Sequence, residues 1–354
     1  MVERVLMKGN EALAEAAIQA GCVHFFGYPI TPQTELAAYM AKRLPKIGGT
    51  YLQAESEIAA INMLLGAAAT GVRAMTSSSS PGISLKTEGI SYMCGSDLPA
   101  LIINVQRGGP GLGGIQPSQA DYWQATRAPG HGDLHVLVFT PSSVQEMVDL
   151  VGKAFDLADK YRLPAMILAD GLLGQMMEPV AIDGNKALDL PEKTWAANGH
   201  KNKRKHNVVN SLYLQATDLE RLIKERFERY KVIQENEALC ENYLTDGADY
   251  IVTAYGATAR IAQAAVKEAR AQGIRVGLIR PITVWPFPNE NFRLAAKTAK
   301  EFLCVEMSMG QMIDDVKLAI DCSKPVRFFG RTGGIIPTPA EVLAEIIKMT
   351  GGAE

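Results

Sequence analysis

Short apolar segments alternate with helix-like segments through the first half of the chain, and this alternation restricts the fold more than any other feature. Predicted strands at 23–26, 51–53, 73–76, 101–105, 136–139 and 165–168 are separated by predicted helices at 11–19, 33–44, 57–70, 83–93, 118–127 and 142–160. Strands separated by helices of this length form βαβ units with a parallel sheet. The strands are almost continuously apolar, as expected when helices cover both sheet faces. We therefore predict an α/β domain over residues 1–180.

A second, smaller α/β domain is predicted over residues 247–354, where the alternation resumes. Its strands are expected at 249–254, 275–279, 302–306 and 326–329, with helices at 257–271, 289–300, 311–320 and 340–349. Residues 181–246 are interpreted as a linker that contains a basic run at 200–206 and a charged helix at 218–241. A basic run of this length is more often a solvated loop than a contact for nucleic acid or an acidic protein.

The composition is that of an ordinary globular protein. The 354 residues suffice for about two domains. The net charge of −2 gives no sign of nucleic-acid binding. The five cysteines include no C-x-x-C pair, so the chain offers no zinc or Fe–S framework of its own. No apolar run is long enough to span a membrane and no secretory segment is visible, so we expect a soluble, cytoplasmic protein with reduced thiols.

The stretch Tyr28-Pro29-Ile30-Thr31-Pro32 follows the first predicted strand. Thr31 suits a helix N-cap and Pro32 suits the first helical position. Such a turn leaves backbone donors and a hydroxyl at the C-terminal edge of a parallel sheet, where ligands of open α/β folds bind. The alternative is a capped strand-to-helix turn with no further role.

Two further segments fall at predicted sheet edges. Glu57 is the first residue of an apolar helix, which Ser56 can cap. A carboxylate in the first turn interacts favourably with the helix dipole, and this interaction can be its whole role. A partly desolvated carboxyl can instead exchange a proton with a heterocycle nitrogen. The serine-rich segment that contains Ser79 and Ser80 can hold an anion or a cofactor ring, although serine turns also serve local hydrogen bonding.

Arg107 follows the predicted strand at 101–105 and opens a glycine-rich loop. A guanidinium at this edge suits a carboxylate ligand, and the alternative is a structural salt bridge. The loop matches the dinucleotide fingerprint by spelling, but Pro117 interrupts the helix that the fingerprint requires, so no such site is assigned. His131 and His135 lack further ligands at metal spacing, and we predict no metal site in this chain.

Several of these motifs occur together in one known family. Tyr28-Pro29-Ile30-Thr31-Pro32, the stretches at 53–60 and 77–82, and Gln106-Arg107 resemble the α-type subunit of 2-oxoacid:ferredoxin oxidoreductases. The stretches at 114–121 and 330–339 resemble the branched-chain (2-oxoisovalerate, or 3-methyl-2-oxobutanoate) branch of that family. The resemblance runs from about residue 5 to residue 348.

The resemblance implies a thiamine-diphosphate pyrimidine-binding domain followed by a transketolase C-terminal-like domain. It implies that Glu57 bonds the aminopyrimidine, that Thr31 lies beside substrate and cofactor, and that Arg107 receives the 2-oxoacid carboxylate. The implied cofactor-binding set is Tyr28, Pro29, Ile30, Thr31, Glu57, Ser79 and Ser80. The implied reaction is oxidative decarboxylation of 3-methyl-2-oxobutanoate with coenzyme A to acyl-CoA, CO2 and reduced ferredoxin.

The sequence contains no Gly-Asp-Gly, the diphosphate and Mg²⁺ motif of such enzymes. The resemblance therefore implies a β-type partner that carries the diphosphate and Mg²⁺. Fe–S clusters would lie on that chain or on a small ferredoxin-like subunit, and the isolated chain would be inactive. The alternatives are the α-type subunit of a 2-oxoglutarate:ferredoxin oxidoreductase and, in a different class, a non-catalytic nucleotide-binding or assembly subunit.

Overall fold

The structure is a computed structural model that describes residues 4–182, 190 and 192–351. The ends of the two predicted domains, at 1–3 and 352–354, and positions 183–189 and 191 of the predicted linker lie outside the described residues. The elements of the first half are β1 (Arg4–Lys8), α1 (Gly9–Gln19), β2 (His24–Gly27), α2 (Thr34–Arg43), β3 (Thr50–Gln53), α3 (Glu57–Ala69), β4 (Ala74–Ser78), α4 (Ser80–Ser84), α5 (Thr87–Gly95), β5 (Leu101–Gln106), α6 (Tyr122–Thr126), β6 (Leu137–Phe139), α7 (Val144–Tyr161), β7 (Ala165–Asp170), α8 (Gly171–Gln175) and β8 (Met177–Ala181).

The second half continues with a long charged helix and a second set of alternating elements. These are α9 (Ala216–Asn236), β9 (Cys240–Tyr243), β10 (Tyr250–Thr253), α10 (Gly256–Ala271), β11 (Val276–Pro281), β12 (Thr283–Trp285), α11 (Asn289–Ala296), β13 (Glu301–Glu306), α12 (Met312–Ala319), β14 (Val326–Gly330) and α13 (Pro339–Met349). Ser56, Ser143 and Thr338 cap α3, α7 and α13 by accepting a hydrogen bond from a backbone N–H three residues later, which fixes where these helices begin.

The first sheet has seven strands in the order β12-β6-β7-β5-β4-β2-β3. All neighbours are parallel except β12, which runs antiparallel to β6. Strands β4, β5 and β7 are buried along their whole length. The predicted α/β class with a parallel sheet is confirmed. Because parallel strands point the same way, β2, β4, β5 and β7 end at one edge, at Gly27, Ser78, Gln106 and Asp170.

The second sheet has five strands in the order β14-β13-β10-β11-β9, with β9 antiparallel to β11. Strand β9 lies inside the interval interpreted as a linker. Strand β12 belongs to the second half of the chain but pairs with β6 at the edge of the first sheet. The antiparallel pair of β1 with β8 was also not predicted. These strands have three to five residues and lie at sheet edges or in a separate pair, where local hydrophobic periodicity gives little signal.

The linker region is attached to the first domain by one face of α9. Tyr230 is buried and its hydroxyl lies 3.1 Å from the backbone nitrogen of His135, which donates to it. Asp97 lies 3.4 Å from Arg226 and also pairs with Arg229. The other face of α9 is charged and exposed. No helix in the described part of the chain has both the length and the apolar content that crossing a membrane requires.

Gln119 joins the two sheets through its side chain. Its Nε2 donates to the Tyr255 carbonyl at 2.8 Å, and its Oε1 accepts from Thr258 Oγ1 at 2.7 Å and from the Met307 backbone N–H at 3.0 Å. The Gln119 backbone is bound as well: its N–H donates to the Met307 carbonyl at 2.8 Å, and its carbonyl accepts from the Tyr255 hydroxyl at 2.9 Å. The helix predicted at 118–127 therefore shortens to α6, which starts after this bound residue. The loop that begins at Arg107 is thereby fixed at its far end.

We expect Gln119→Leu to lower the free energy of unfolding by about 2–4 kcal/mol, because it leaves three buried polar partners unsatisfied at similar side-chain volume. Urea unfolding of the two proteins measures the difference. Gln272→Leu is the matched control, since Gln272 is exposed and, among the described residues, its side chain bonds only to the exposed Glu268 side chain. A loss for Gln119→Leu no larger than that of the control would contradict the role of Gln119 at the interface.

Candidate active site

The turn after β2 does not cap a helix, so the predicted N-cap at Thr31 and first helical position at Pro32 are wrong. Helix α2 starts later, with Gln33 as its N-cap residue. The reason is tertiary: Arg107 Nη1 donates to the Thr31 carbonyl at 2.9 Å, and Asn10 Nδ2 donates to the Pro32 carbonyl at 2.7 Å. Both carbonyls are thus bound by side chains from distant parts of the chain, and α2 begins after them.

The turn instead forms part of an exposed wall at the sheet edge. Tyr28, Pro29 and Thr31 are exposed, Ile30 is half-buried, and Pro32 is buried. Arg107 and Asn10 hold the backbone carbonyls of Thr31 and Pro32, while the exposed residues of the turn face solvent. This arrangement leaves the Thr31 side chain accessible at the edge where β2 ends.

Glu57 is the first residue of α3 and is 7% exposed. Ser56 accepts a hydrogen bond from the Ala59 N–H at 3.2 Å, which confirms the predicted cap. Among the described residues, no donor hydrogen-bonds to the Glu57 carboxylate. A Cβ on Gly82 would lie 2.8 Å from Glu57 Oε1 and 2.2 Å from Ser78 Oγ, so glycine at this position lets the carboxylate reach the serine-rich segment.

The serines of this segment divide into two groups. Ser80 Oγ donates to Asp121 Oδ2 at 2.6 Å and accepts from the Arg107 N–H at 3.0 Å, so this hydroxyl joins neighbouring elements. Ser78 and Ser79 are buried, and their hydroxyls have no partner within the described structure. Buried hydroxyls without partners are costly, which is consistent with a ligand that completes them.

The Arg107 guanidinium is held by carbonyl oxygens and not by a carboxylate. It donates to Thr31 O at 2.9 Å and to Leu112 O at 3.2 Å, and its buried Nε has no partner in the described part of the chain. No ion pair within 4.0 Å involves Arg107 among the described residues, so the salt-bridge alternative is wrong. Burial raises the pKa of the Asp121 carboxyl, while hydrogen bonds from Ser80 and Asn104 and the field of Arg107 act in the opposite direction.

A cavity of about 480 Å³ opens beside Thr31. Half of its lining residues are aliphatic or proline, Met176 is a further apolar one, and Gln116 and Gln175 contribute amides. Its lining is Thr31, Pro32, Ile115, Gln116, Pro117, Gly171, Leu172, Gln175, Met176 and Ile336. Ile336 comes from the 330–339 stretch, and a Cβ on Gly334 would lie 2.3 Å from the Gln116 Cβ. The two stretches that resemble the branched-chain branch therefore meet at this cavity.

The structure thus brings Thr31 and Arg107 into direct contact and Glu57 against the serine-rich segment. Sequence reasoning missed the free Ser78 hydroxyl, because Ser78 ends a buried strand, and it missed the fully buried Lys86. Its neighbours Leu85 and Thr87 are not fully buried. No local sequence pattern therefore indicated that Lys86 is buried.

Two family models match the chain. One is described as pyruvate flavodoxin/ferredoxin oxidoreductase, thiamine diphosphate-binding, and matches residues 15–237. The other is described as pyruvate:ferredoxin oxidoreductase core domain II and matches residues 248–342. The chain belongs to the pyruvate flavodoxin/ferredoxin oxidoreductase family. It is an α-type chain of the 2-oxoacid:ferredoxin oxidoreductases, an oxidoreductase subunit, and the predicted resemblance is confirmed.

Relatives within this family match nearly the full chain. The ketoisovalerate oxidoreductase subunit VorB of Methanothermobacter thermautotrophicus is 46% identical over 98% of both chains. The 2-oxoglutarate synthase subunit KorA of the same organism is 36% identical over 99% of this chain and 100% of its own.

Two solved structures share the fold of this chain. The 2-oxoglutarate:ferredoxin oxidoreductase from Magnetococcus marinus, with 2-oxoglutarate, coenzyme A and succinyl-CoA bound, matches with a TM-score of 0.88 and 27% identity. That match covers 98% of the present chain but 65% of the solved chain, so the solved chain is considerably longer. A split-gene transketolase matches with a TM-score of 0.60 and 16% identity over 98% of both chains, which shows the shared fold alone.

Proposed function

We propose that this chain is the α-type subunit of a thiamine-diphosphate-dependent enzyme that oxidatively decarboxylates 3-methyl-2-oxobutanoate. The products would be acyl-CoA, CO2 and reduced ferredoxin, with coenzyme A as co-substrate. The substrate assignment rests on the cavity beside Thr31. Within the described residues its lining includes aliphatic side chains and no lysine or arginine. An isopropyl group suits such a wall, whereas the distal carboxylate of 2-oxoglutarate requires a cation.

The residues around Glu57 fit the aminopyrimidine half of thiamine diphosphate. Glu57 and Ser78 meet over Gly82, and among the described residues the Glu57 carboxylate has no bonded donor and the hydroxyls of Ser78 and Ser79 have no partner, so these groups form a partly polar cradle. Bound thiamine diphosphate would supply the nucleophilic carbon and the electron sink for decarboxylation. Glu57 would hold a proton at the ring nitrogen, and Ser79 would offer its hydroxyl to the ring.

The remaining proposed site residues position the substrate or support the cradle. Arg107 would receive the 2-oxoacid carboxylate through its partly unsatisfied guanidinium, and Thr31 would lie between substrate and cofactor. Tyr28, Pro29 and Ile30 would form the wall beside them. Ser80 would act mainly through its hydrogen bonds to Asp121 and Arg107.

The proposed site is half of a complete one, and a partner chain would supply the rest. The sequence lacks Gly-Asp-Gly, and the site is flanked by exposed apolar side chains, among them Ile58 and Met63 of α3, Leu52 and Leu85. Exposed apolar patches commonly mark protein interfaces. We place the diphosphate and Mg²⁺ on a β-type subunit, and the Fe–S clusters on that chain or on a small ferredoxin-like subunit.

We retain as a proposal the division into a pyrimidine-binding domain at 1–180, a linker with a charged helix at 181–246, and a transketolase C-terminal-like domain at 247–354. In this division β12 returns from the third part to the sheet of the first. The basic run at 200–206 would be a solvated loop: Arg204 donates to the carbonyls of Ala196 and Gly199, and the lysines of the run are exposed.

Steady-state kinetics of the assembled complex test the substrate. We expect kcat/KM for 3-methyl-2-oxobutanoate to exceed that for 2-oxoglutarate by about 10²-fold or more, because burying an unpaired carboxylate in an aliphatic cavity is costly. Pyruvate serves as a control that has the reacting group but fills the cavity poorly, and it should fall below the branched substrate. A higher kcat/KM for 2-oxoglutarate would contradict the proposal and favour the alternative.

A further inference from the structure

Lys86 is a fully buried lysine between α4 and α5, beside the proposed cofactor cradle. Its Nζ donates to Thr76 Oγ1 of β4 at 3.1 Å. Within the described residues this is its single hydrogen bond, although an ammonium has three N–H donors, and no carboxylate oxygen lies within 4.0 Å of it. A buried cation with so few partners is costly, so a purely structural reason for it is missing.

The charge that acts on Lys86 comes from Glu57. Burial lowers the pKa of Lys86 to about 8, and the negative field of the Glu57 carboxylate opposes that change. The elements around Lys86 contribute few other charges. Strand β4 contributes Thr76, α4 has no charged residue, and Glu88 of α5 is exposed and accepts a hydrogen bond from Tyr92 at 2.8 Å.

The geometry agrees: Thr76, which binds the ammonium, and Ser78 are two residues apart on β4 and so share one face of the strand. Ser78 Oγ and Glu57 Oε1 both lie within 3 Å of the position of a Cβ on Gly82, so the Glu57 carboxylate lies on the same face of β4 as the Lys86 ammonium.

We propose that Lys86 is a positioning residue that acts through Glu57. As a buried cation it stabilises the Glu57 carboxylate, and the proton that lies between Glu57 and the aminopyrimidine nitrogen is thereby shifted toward that nitrogen. The inference rests on the proposed role of Glu57. An opposite charge near a carboxyl favours its ionised form, and Lys86 supplies that charge only while its amine is protonated. Thr76, on the buried strand β4, holds the ammonium in place without neutralising it.

The pH dependence of stability provides a test that needs no cofactor. The folded-state pKa of Lys86, about 8, lies below its ordinary value of 10.5, so the unfolded chain binds more protons between these values. The cost of the buried charge is therefore full below pH 8 and is relieved as the pH rises toward 10.5. Lys86→Met removes that cost. Its Tm should exceed that of the unmodified full chain at pH 7, and the difference should shrink toward pH 10.

A double-mutant comparison distinguishes an interaction of Lys86 with Glu57 from a gain in stability that comes only from removing a buried charge. In the Glu57→Gln background the ammonium loses its favourable field, so Lys86→Met should raise Tm at pH 7 by more than it does when Glu57 is present. An equal increase in both backgrounds would show that the two groups do not interact and would overturn the inference.

Turnover of the assembled complex gives the functional arm. Lys86→Met should lower kcat at pH 7 by about tenfold, equivalent to one pKa unit in the proton balance, with KM for the 2-oxoacid within about twofold. In the unmodified complex we expect kcat to decline as the pH rises through 8, because Lys86 loses its charge there. This decline should be absent in Lys86→Met. Thr76→Val is the second variant: it removes the hydrogen bond to the ammonium while preserving shape, so the decline should move to lower pH.

A Lys86→Met protein that is less stable at pH 7, or one whose kcat and pH profile match the unmodified complex, would show that Lys86 is structural. If Lys86→Met fails to fold, an unshifted pH profile in Thr76→Val overturns the inference. Turnover of Glu57→Gln near the unmodified level would instead remove the proposed function itself, so the two failures are distinguishable.

Discussion

Replacing Glu57 with glutamine is expected to lower kcat of the assembled complex by about 10²- to 10⁴-fold, the range lost when a general acid–base group is removed. Glutamine keeps the shape and the hydrogen-bonding reach of the side chain but cannot exchange the proton. Because no donor among the described residues bonds the Glu57 carboxylate, the substitution breaks no bond of the fold, and assembly with the partner chains should survive.

The measurement is anaerobic turnover of complexes reconstituted with each variant, together with size-exclusion chromatography to verify assembly. Glu55→Gln is the matched control, since Glu55 is exposed and lies two residues earlier in the same segment. It should leave kcat within about twofold, as is usual for surface positions away from a site. Turnover of the Glu57→Gln complex close to that of the control would remove Glu57 from the site.

Replacing Arg107 with alanine should raise KM for the 2-oxoacid by about 10- to 100-fold, the equivalent of losing a hydrogen-bonded pair with a charged partner. The loss should appear mainly in KM, because the carboxylate is bound in the ground state as well as in the transition state. Arg107→Lys should give an intermediate KM, because an ammonium keeps the charge but cannot bind a carboxylate through two parallel hydrogen bonds.

The matched control is Arg127→Ala. Arg127 is exposed and pairs with Asp315 at 3.1 Å, away from the Thr31 cavity, so its removal should leave KM unchanged. Arg107 also holds the Thr31 carbonyl, and urea unfolding of the variants measures that contribution separately. An unchanged KM in both Arg107 variants would exclude the carboxylate role.

The fold was predictable from the sequence where burial is continuous. Strands β4, β5 and β7 are covered on both faces, so their apolar runs identify them without further context. Strands β9 and β12 were missed because each is short, lies at a sheet edge and takes its place through pairing with residues far away in the chain. Helix α6 starts four residues later than the predicted helix at 118–127, because Gln119 bonds to the second domain.

The candidate site was predictable to the level of the sheet edge. The rule that ligands bind at the carboxyl ends of parallel strands placed Thr31, Arg107 and the serine-rich segment correctly on one edge. The same local reasoning failed for the cap at Thr31, because tertiary hydrogen bonds from Arg107 and Asn10 hold that turn. Which serine hydroxyl is free, and that Lys86 is buried, depend on packing that local sequence patterns do not contain.

Affinity purification of the tagged chain from its native cells under anaerobic conditions tests the central claim, that this chain supplies half of a shared active site. We predict co-purifying chains, bound thiamine diphosphate, Fe–S absorbance and ferredoxin reduction that requires both coenzyme A and 3-methyl-2-oxobutanoate, with no turnover by the isolated chain. A chain that purifies without partners or thiamine diphosphate and that binds NAD or RNA tightly would contradict the claim and favour a nucleotide-binding or assembly role.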